Sequence, residues 1–193
     1  KPIERLRSDR YTSTWEVFET TRYLSGIDGA RCTTELKVKP RLAWQKPYDT
    51  HVFGYTCDAA DIARAKRLRE TYFEMRISTP LIDRGLSKAA CLEMIARAGL
   101  PVPPMYAMGF QNNNCVPCVK ATSPAYWALV RKQFPAEFRR MAELSRALDV
   151  RLCRINDERR FIDEIPADQP TSDPITPACD FLCVIAEQDL EAA

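Results

Sequence analysis

The chain has 193 residues, 46% hydrophobic and 28% charged, a profile that suits a globular fold with a sizeable core. The formal net charge of +2 gives no general case for a polyanion-binding protein. No apolar run approaches the roughly 18 residues of a membrane-spanning helix, and no secretory signal opens the sequence, so a cytoplasmic protein with no membrane partner is expected. Charge is uneven: from residue 151 onward four arginines face ten acidic residues, so the body before it is basic and the tail acidic. Residue 1 is Lys rather than Met, which fits a fragment.

Residues 1–13 are polar and basic without period. Thr14 to Leu24 reads as a helix capped by Ser13 or Thr14, with Trp15 and Phe18 at helical spacing and the glycines of Ser25–Gly29 ending it. Next, Thr33 or Thr34 is expected to cap a short helix with Cys32 at its N-terminus, where the partial positive charge favours a thiolate. Lys37, Lys39 and Arg41 follow.

His51–Tyr55 reads as a buried strand and Asp58–Tyr72 as a helix with Ala, Ile and Leu on one side. Met75–Ser78 reads as a second short strand. Ser87 is a cap for a helix over Lys88–Ala98 that Gly99 stops, and Pro101, Pro103 and Pro104 make an extended link. That link leads into the most informative stretch, Gly109-Phe110-Gln111-Asn112-Asn113-Asn114-Cys115-Val116-Pro117-Cys118-Val119-Lys120. Helices are expected from Ser123-Pro124, with Tyr126, Trp127, Leu129 and Val130, and over Ala136–Leu148, with Phe138, Met141, Leu144 and Leu148 inward. Phe161–Ile165 is apolar but short. The 166–193 arm opens with Pro166, Pro170, Pro174 and Pro177 and carries Cys179 and Cys183. There is no internal repeat, so one α/β domain over 1–193 is expected.

Eight cysteines in a chain with no sign of export point to reduced thiols, some of them metal ligands. The strongest constellation is Cys32, the Cys115-x-x-Cys118 pair and one or both of Cys179 and Cys183. Three or four such thiolates suit a four-iron four-sulfur cluster or a closed tetrahedral zinc site. A redox dithiol and simple burial are the other readings of the same residues. Cys57, Cys91 and Cys153 lie within expected elements, without paired spacing, and read as core. Lys37, Arg64 and Lys120 are the candidates to neutralise a phosphate, each near a cysteine, a glycine turn or the loop. Tyr126-Trp127 reads as core before a base-stacking platform. The single histidine, His51, has no histidine partner, and no GxGxxG, GxxxxGK[ST] or HExxH motif is present.

Several fragments in order resemble one family. Cys32-Thr33-Thr34-Glu35-Leu36-Lys37 with Pro40, then Gly54-Tyr55 with Arg64-Ala65, resemble the phosphoadenosine phosphosulfate (PAPS) reductase family of the PP-loop (adenine nucleotide alpha-hydrolase) superfamily. Pro80-Leu81-Ile82, Ser87–Cys91, Pro104-Met105-Tyr106, Asn113–Lys120, Tyr126-Trp127 and Cys179–Cys183 look like its phage and bacterial branch, with Asp180 where that branch has Gly.

The resemblance implies a Rossmann-like core of parallel strands with a helical, cysteine-bearing C-terminal part. It implies a site for an adenine-nucleotide-type small molecule, with Lys37, Arg64 and Lys120 beside its phosphate or sulfate. Cys32, Cys115, Cys118 and Cys183 would hold an iron–sulfur cluster, Cys179 serving as the alternative ligand or the sulfur-handling thiol. A thiol reductant protein would be a partner. The related adenylylsulfate reductases carry a tandem Cys-Cys about eighty residues before a Cys-x-x-Cys pair; here Cys32 stands alone at that separation. The family's Ser-Gly-Gly-type phosphate loop has no counterpart, which implies the C-terminal two-thirds of such a protein. Reductive sulfonucleotide chemistry or a base- or backbone-thiolation reaction would follow from the family. The reading from a different class is a zinc-stabilised, non-enzymatic module that binds nucleic acid through the basic body.

Overall fold

A computed structural model describes residues 3–27 and 29–178. The expected ligands and thiols at Cys179 and Cys183 lie outside the described residues. The chain divides into two compact units, one made of residues 1–45 and 105–174 and the other of residues 46–104 and 175–193. The fold mixes helix with short two-stranded sheets. Among the described residues no helix is long and apolar enough to cross a membrane.

The first unit opens with α1, Thr14–Thr21, where the Ser13 hydroxyl accepts the Glu16 amide at 3.1 Å. The helix stops three residues before the expected end, because Arg22 takes a left-handed conformation (φ 51°). Ser25–Gly26 (β1) and Gly29–Ala30 (β2) then pair antiparallel. A helical run follows in three pieces: α2, Arg31–Thr33; a π-helical stretch, Thr34–Val38; and α3, Lys39–Trp44.

The second unit contains a strand–helix–strand crossover. β3 (Thr50–Val52) lies parallel to β4 (Arg76–Ser78), and α4 (Ala59–Thr71) connects them. The parallel pair requires that crossover, since a tight turn joins only antiparallel strands. β3 corrects the buried strand expected over His51–Tyr55: it ends at Val52, which is 67% exposed, and Phe53 and Tyr55 stack on each other beyond it. On α4 the inward face is Asp61 and Ala65, one turn apart, while Ile62 stays exposed. Asp61 is tolerated inside because it accepts the Thr56 amide and hydroxyl and pairs with Arg64. α5 (Pro80–Asp83) leads to α6 (Lys88–Arg97), capped by Ser87 Oγ accepting the Ala90 amide at 3.1 Å. Gly99, at φ 68°, ends it while the Leu100 amide bonds back to Ile95.

The chain re-enters the first unit through α7, Pro104–Ala107, where an extended link was expected. Pro at a first helical position is favourable, because its missing amide hydrogen would have no partner there. α8 (Pro124–Gln133) and α9 (Pro135–Ala147) form the core with their buried Trp127, Leu129, Val130, Phe138 and Met141. α8 is buried at four consecutive positions, Trp127–Val130, so its middle is covered on every side. A hairpin that the hydrophobic pattern does not announce follows: β5 (Cys153–Ile155) and β6 (Glu158–Arg160), joined by Asn156 and Asp157 with φ 49° and 63°. Ile162 and Ile165, at the start of a short 3₁₀ turn and just past it, join the core, and residues 169–178 contain no helix or strand.

Met141 is wholly buried, so Met141→Ala is expected to cost about 2–5 kcal/mol in chemical denaturation. Ser87→Ala removes only one cap and is expected to cost about 1 kcal/mol in the same measurement.

Candidate functional site: a thiol cluster in the first unit

The Asn/Cys loop hangs between two buried aromatic residues. Phe110 anchors its start and Trp127 its far side. Between them the main chain is held at four points. The Tyr126 hydroxyl accepts the Cys118 amide at 2.6 Å, and the Ala121 amide bonds to the Cys118 carbonyl at 3.0 Å. The Trp127 indole donates to the Ala121 carbonyl at 3.0 Å, and the Arg154 amide donates to the Thr122 carbonyl at 2.8 Å. Pro117 and Val119 are buried, and the Val116–Pro117 bond is cis. Cys118, between them, is half-buried, while Cys115 and Lys120 are exposed.

Cys32 reaches this loop from the helical run. It packs half-buried against the same core, and the charges of Cys115, Cys118 and Lys120 all bear on its thiol. Burial pushes the Cys32 thiol up from its ordinary range, and the two neighbouring thiols push it further. Lys120 and the Thr33 amide pull in the other direction without prevailing. The expected cap at Thr33 or Thr34 is corrected: both lie inside the helical run, and the capping position is Ala30, with no side-chain bond.

One turn beyond Cys32, the opposite balance holds. Glu35 is buried, and it is clasped by Arg31 at 3.2 Å and Lys39 at 2.8 Å on either side along the helix. The Lys39 ammonium, bonding both carboxylate oxygens, holds the Glu35 carboxyl below the usual carboxylate range against the opposing effect of burial. This triad carries no sequence motif beyond an i, i+4 charge pattern, which the surrounding basic residues obscure.

Cys115, Cys118 and Lys120 thus lie close enough to Cys32 for their charges to bear on its thiol. Among the described residues, no group of three or more His, Cys, Asp or Glu side chains could hold a metal ion. Lys37 is exposed in the π-helical stretch of the first unit. Arg64 lies in the second unit, paired with Asp61 at 2.8 Å. Of the remaining cysteines, Cys153 is fully buried in the first unit's core, and Cys57 and Cys91 are half-buried in the second unit. Tyr126 acts through its hydroxyl as well as its ring, a role that a core reading of Tyr126-Trp127 omits; burial pushes its phenol far up, which keeps it a neutral acceptor.

The chain matches no family model, no curated protein and no solved structure.

In metal-free protein, Cys32 is expected to alkylate more slowly than Cys115 near neutral pH, with a rate that rises at higher pH than an ordinary thiol's. Serine at both 115 and 118 removes the like charges, and the midpoint of that rise should move down; an unmoved midpoint would show that the three thiols are not neighbours. For Glu35, the folded-state value is depressed, so its contribution is present above the ordinary carboxylate pKa and is lost as pH falls through the folded one. Glu35→Gln should therefore lower stability by on the order of 1 kcal/mol at neutral pH. The gap between the two proteins should close in acid, as followed by denaturant midpoints across pH.

Proposed function

We propose that the chain is a PAPS-reductase-like protein of sulfur or nucleotide metabolism that holds an iron–sulfur cluster on cysteines, with Cys32, Cys115, Cys118 and either Cys183 or Cys179 as the candidate ligands. The observation that supports this reading is that Cys115 and Cys118 lie close enough to Cys32, about eighty residues away in sequence, for their charges to bear on its thiol. Burial first, and those like charges second, oppose ionisation of the Cys32 thiol. A bound cation resolves that conflict by compensating the thiolate charges.

The β3–α4–β4 crossover supports a Rossmann-like core, because a parallel pair joined through a helix is the unit from which such sheets are built. An adenine-nucleotide-type substrate would lie at the carboxyl end of such strands. The chain's own residues divide the work. Tyr126 and Trp127 hold the loop backbone, and Cys32, Cys115 and Cys118 serve as ligands. Lys120 offsets negative charge at their side; Lys37 in the first unit and Arg64 in the second are each, separately, candidate cations for phosphate or sulfate. Bound there, the cluster would supply electron transfer or electrostatic tuning of a sulfur step at Cys179.

Anaerobic purification with iron, acid-labile sulfide and zinc analysis, together with a visible spectrum, tests the reading. Iron and sulfide with broad visible absorption are expected, and Cys32→Ala should abolish both. Zinc in a colourless protein would replace the cluster with the structural-zinc, nucleic-acid-binding alternative. Metal content unchanged in Cys32→Ala would overturn the ligand set.

A further inference from the structure

We propose that Cys57 and Cys91, which take no part in the thiol cluster, are a redox pair that closes a disulfide across the second unit when the protein meets a peroxide. The two residues are far apart in sequence and form no motif, but the fold laces their surroundings together. The Cys57 amide donates to the Leu86 carbonyl at 2.9 Å, and the Cys57 thiol donates to the Gly85 carbonyl at 3.1 Å. One residue on, Asp58 accepts the Lys88 amide at 3.0 Å and the Thr56 hydroxyl at 2.7 Å. The segment 56–58 therefore runs alongside 85–88, immediately before α6.

Cys91 sits one turn into α6, its amide bonded to the Ser87 carbonyl at 3.0 Å. Side chains on a helix lean toward its N-terminus, which here is the Cys57 seam. Cys91 packs on the small cluster of Leu86 and Ala90, so its thiol is half-buried. The charges of Asp58 and Cys57 both bear on that thiol. Neither cysteine is a necessary part of the main hydrophobic core, and both are accessible enough to meet a small oxidant.

The chemistry balances with hydrogen peroxide as the oxidant. One thiolate attacks a peroxide oxygen, the O–O bond breaks, and the leaving hydroxide takes up a proton to give water and a sulfenic acid. The second thiolate attacks that sulfur, the S–O bond breaks, and a second water leaves. Two thiols and one peroxide thus become one disulfide and two waters. A small thiol returns the pair to the reduced state by exchange. Oxidation removes the Cys57 S–H donor from the Gly85 carbonyl and replaces that hydrogen bond with a covalent tie between Cys57, two residues before α4, and the first turn of α6.

The test uses the full chain, reduced and then treated with hydrogen peroxide, quenched by alkylation and mapped by mass spectrometry. A Cys57–Cys91 linked peptide, lighter by two hydrogens than its reduced parts and lost on treatment with dithiothreitol, is expected as the main product at Cys57. In Cys91→Ser the linked peptide should vanish, leaving Cys57 reactive to a sulfenic-acid probe. Oxidised wild type should melt at a higher temperature than reduced, and Cys57→Ser should not show that rise. Peroxide that gives only sulfenic or sulfinic acids at these positions, or links either cysteine to Cys32, Cys115 or Cys118 instead, would overturn the pairing. The wild-type peptide map decides the matter even where a serine variant fails to fold.

Discussion

A single hydrogen bond, from the amide of Cys118 to the hydroxyl of Tyr126, sets the geometry on which the thiol site rests. Tyr126 can perform this role because its ring is buried against Phe110 and Trp127, edge to face with both, and its phenol therefore stays protonated. Trp127, fully buried, adds a second tie from its indole to the Ala121 carbonyl. The loop is thus held by its backbone and by the buried Pro117 and Val119.

The helical run over residues 31–44 places two opposite electrostatic environments one turn apart. At Glu35, two cations flank an acid, and the charged form wins although the carboxylate is buried. At Cys32, burial and two like thiols oppose ionisation, and one lysine does not compensate. The contrast rests on the number and sign of neighbours, since both residues sit on the same backbone. Glu35 lies within the π-helical stretch, Thr34–Val38, that begins two residues after Cys32, a distortion found frequently at functional positions.

Local signals in the sequence were sound at several helix ends. Ser13 and Ser87 cap the helices they were expected to cap, Gly99 stops α6, and the starts of α8 and α9 stand within a residue of their expected places, whereas the expected Thr33 or Thr34 cap does not form. Other failures arise because burial is decided by distant parts of the chain. His51–Val52 has the composition of an inner strand, yet little covers it. Asn156-Asp157 is a recognisable two-residue turn, but the strands beside it carry arginines and a glutamate in place of an alternating apolar pattern, so the hairpin was hidden. At the candidate site, the CxxC spacing was legible and so was the isolated Cys32. Its raised thiol, the Tyr126 acceptor and the Cys57–Cys91 seam were not, because each depends on residues brought together only by folding.

The start of the C-terminal arm is gripped in a particular way. Arg131 on α8 spreads its guanidinium over the carbonyls of Ile165, Pro166 and Ala167. Farther along, Gln111 donates to the Asp173 carbonyl, and Ser172 both donates its hydroxyl to the Gly109 carbonyl and brings its own carbonyl within 2.8 Å of where a Gly109 side chain would begin. Nearly every one of these contacts reads the arm's peptide groups and ignores its side chains. The arm can therefore drift in sequence at almost every position from 166 to 173 without loosening, whereas the burden of constancy falls on the body: Arg131, Gln111 and above all Gly109, where even a methyl group has no room.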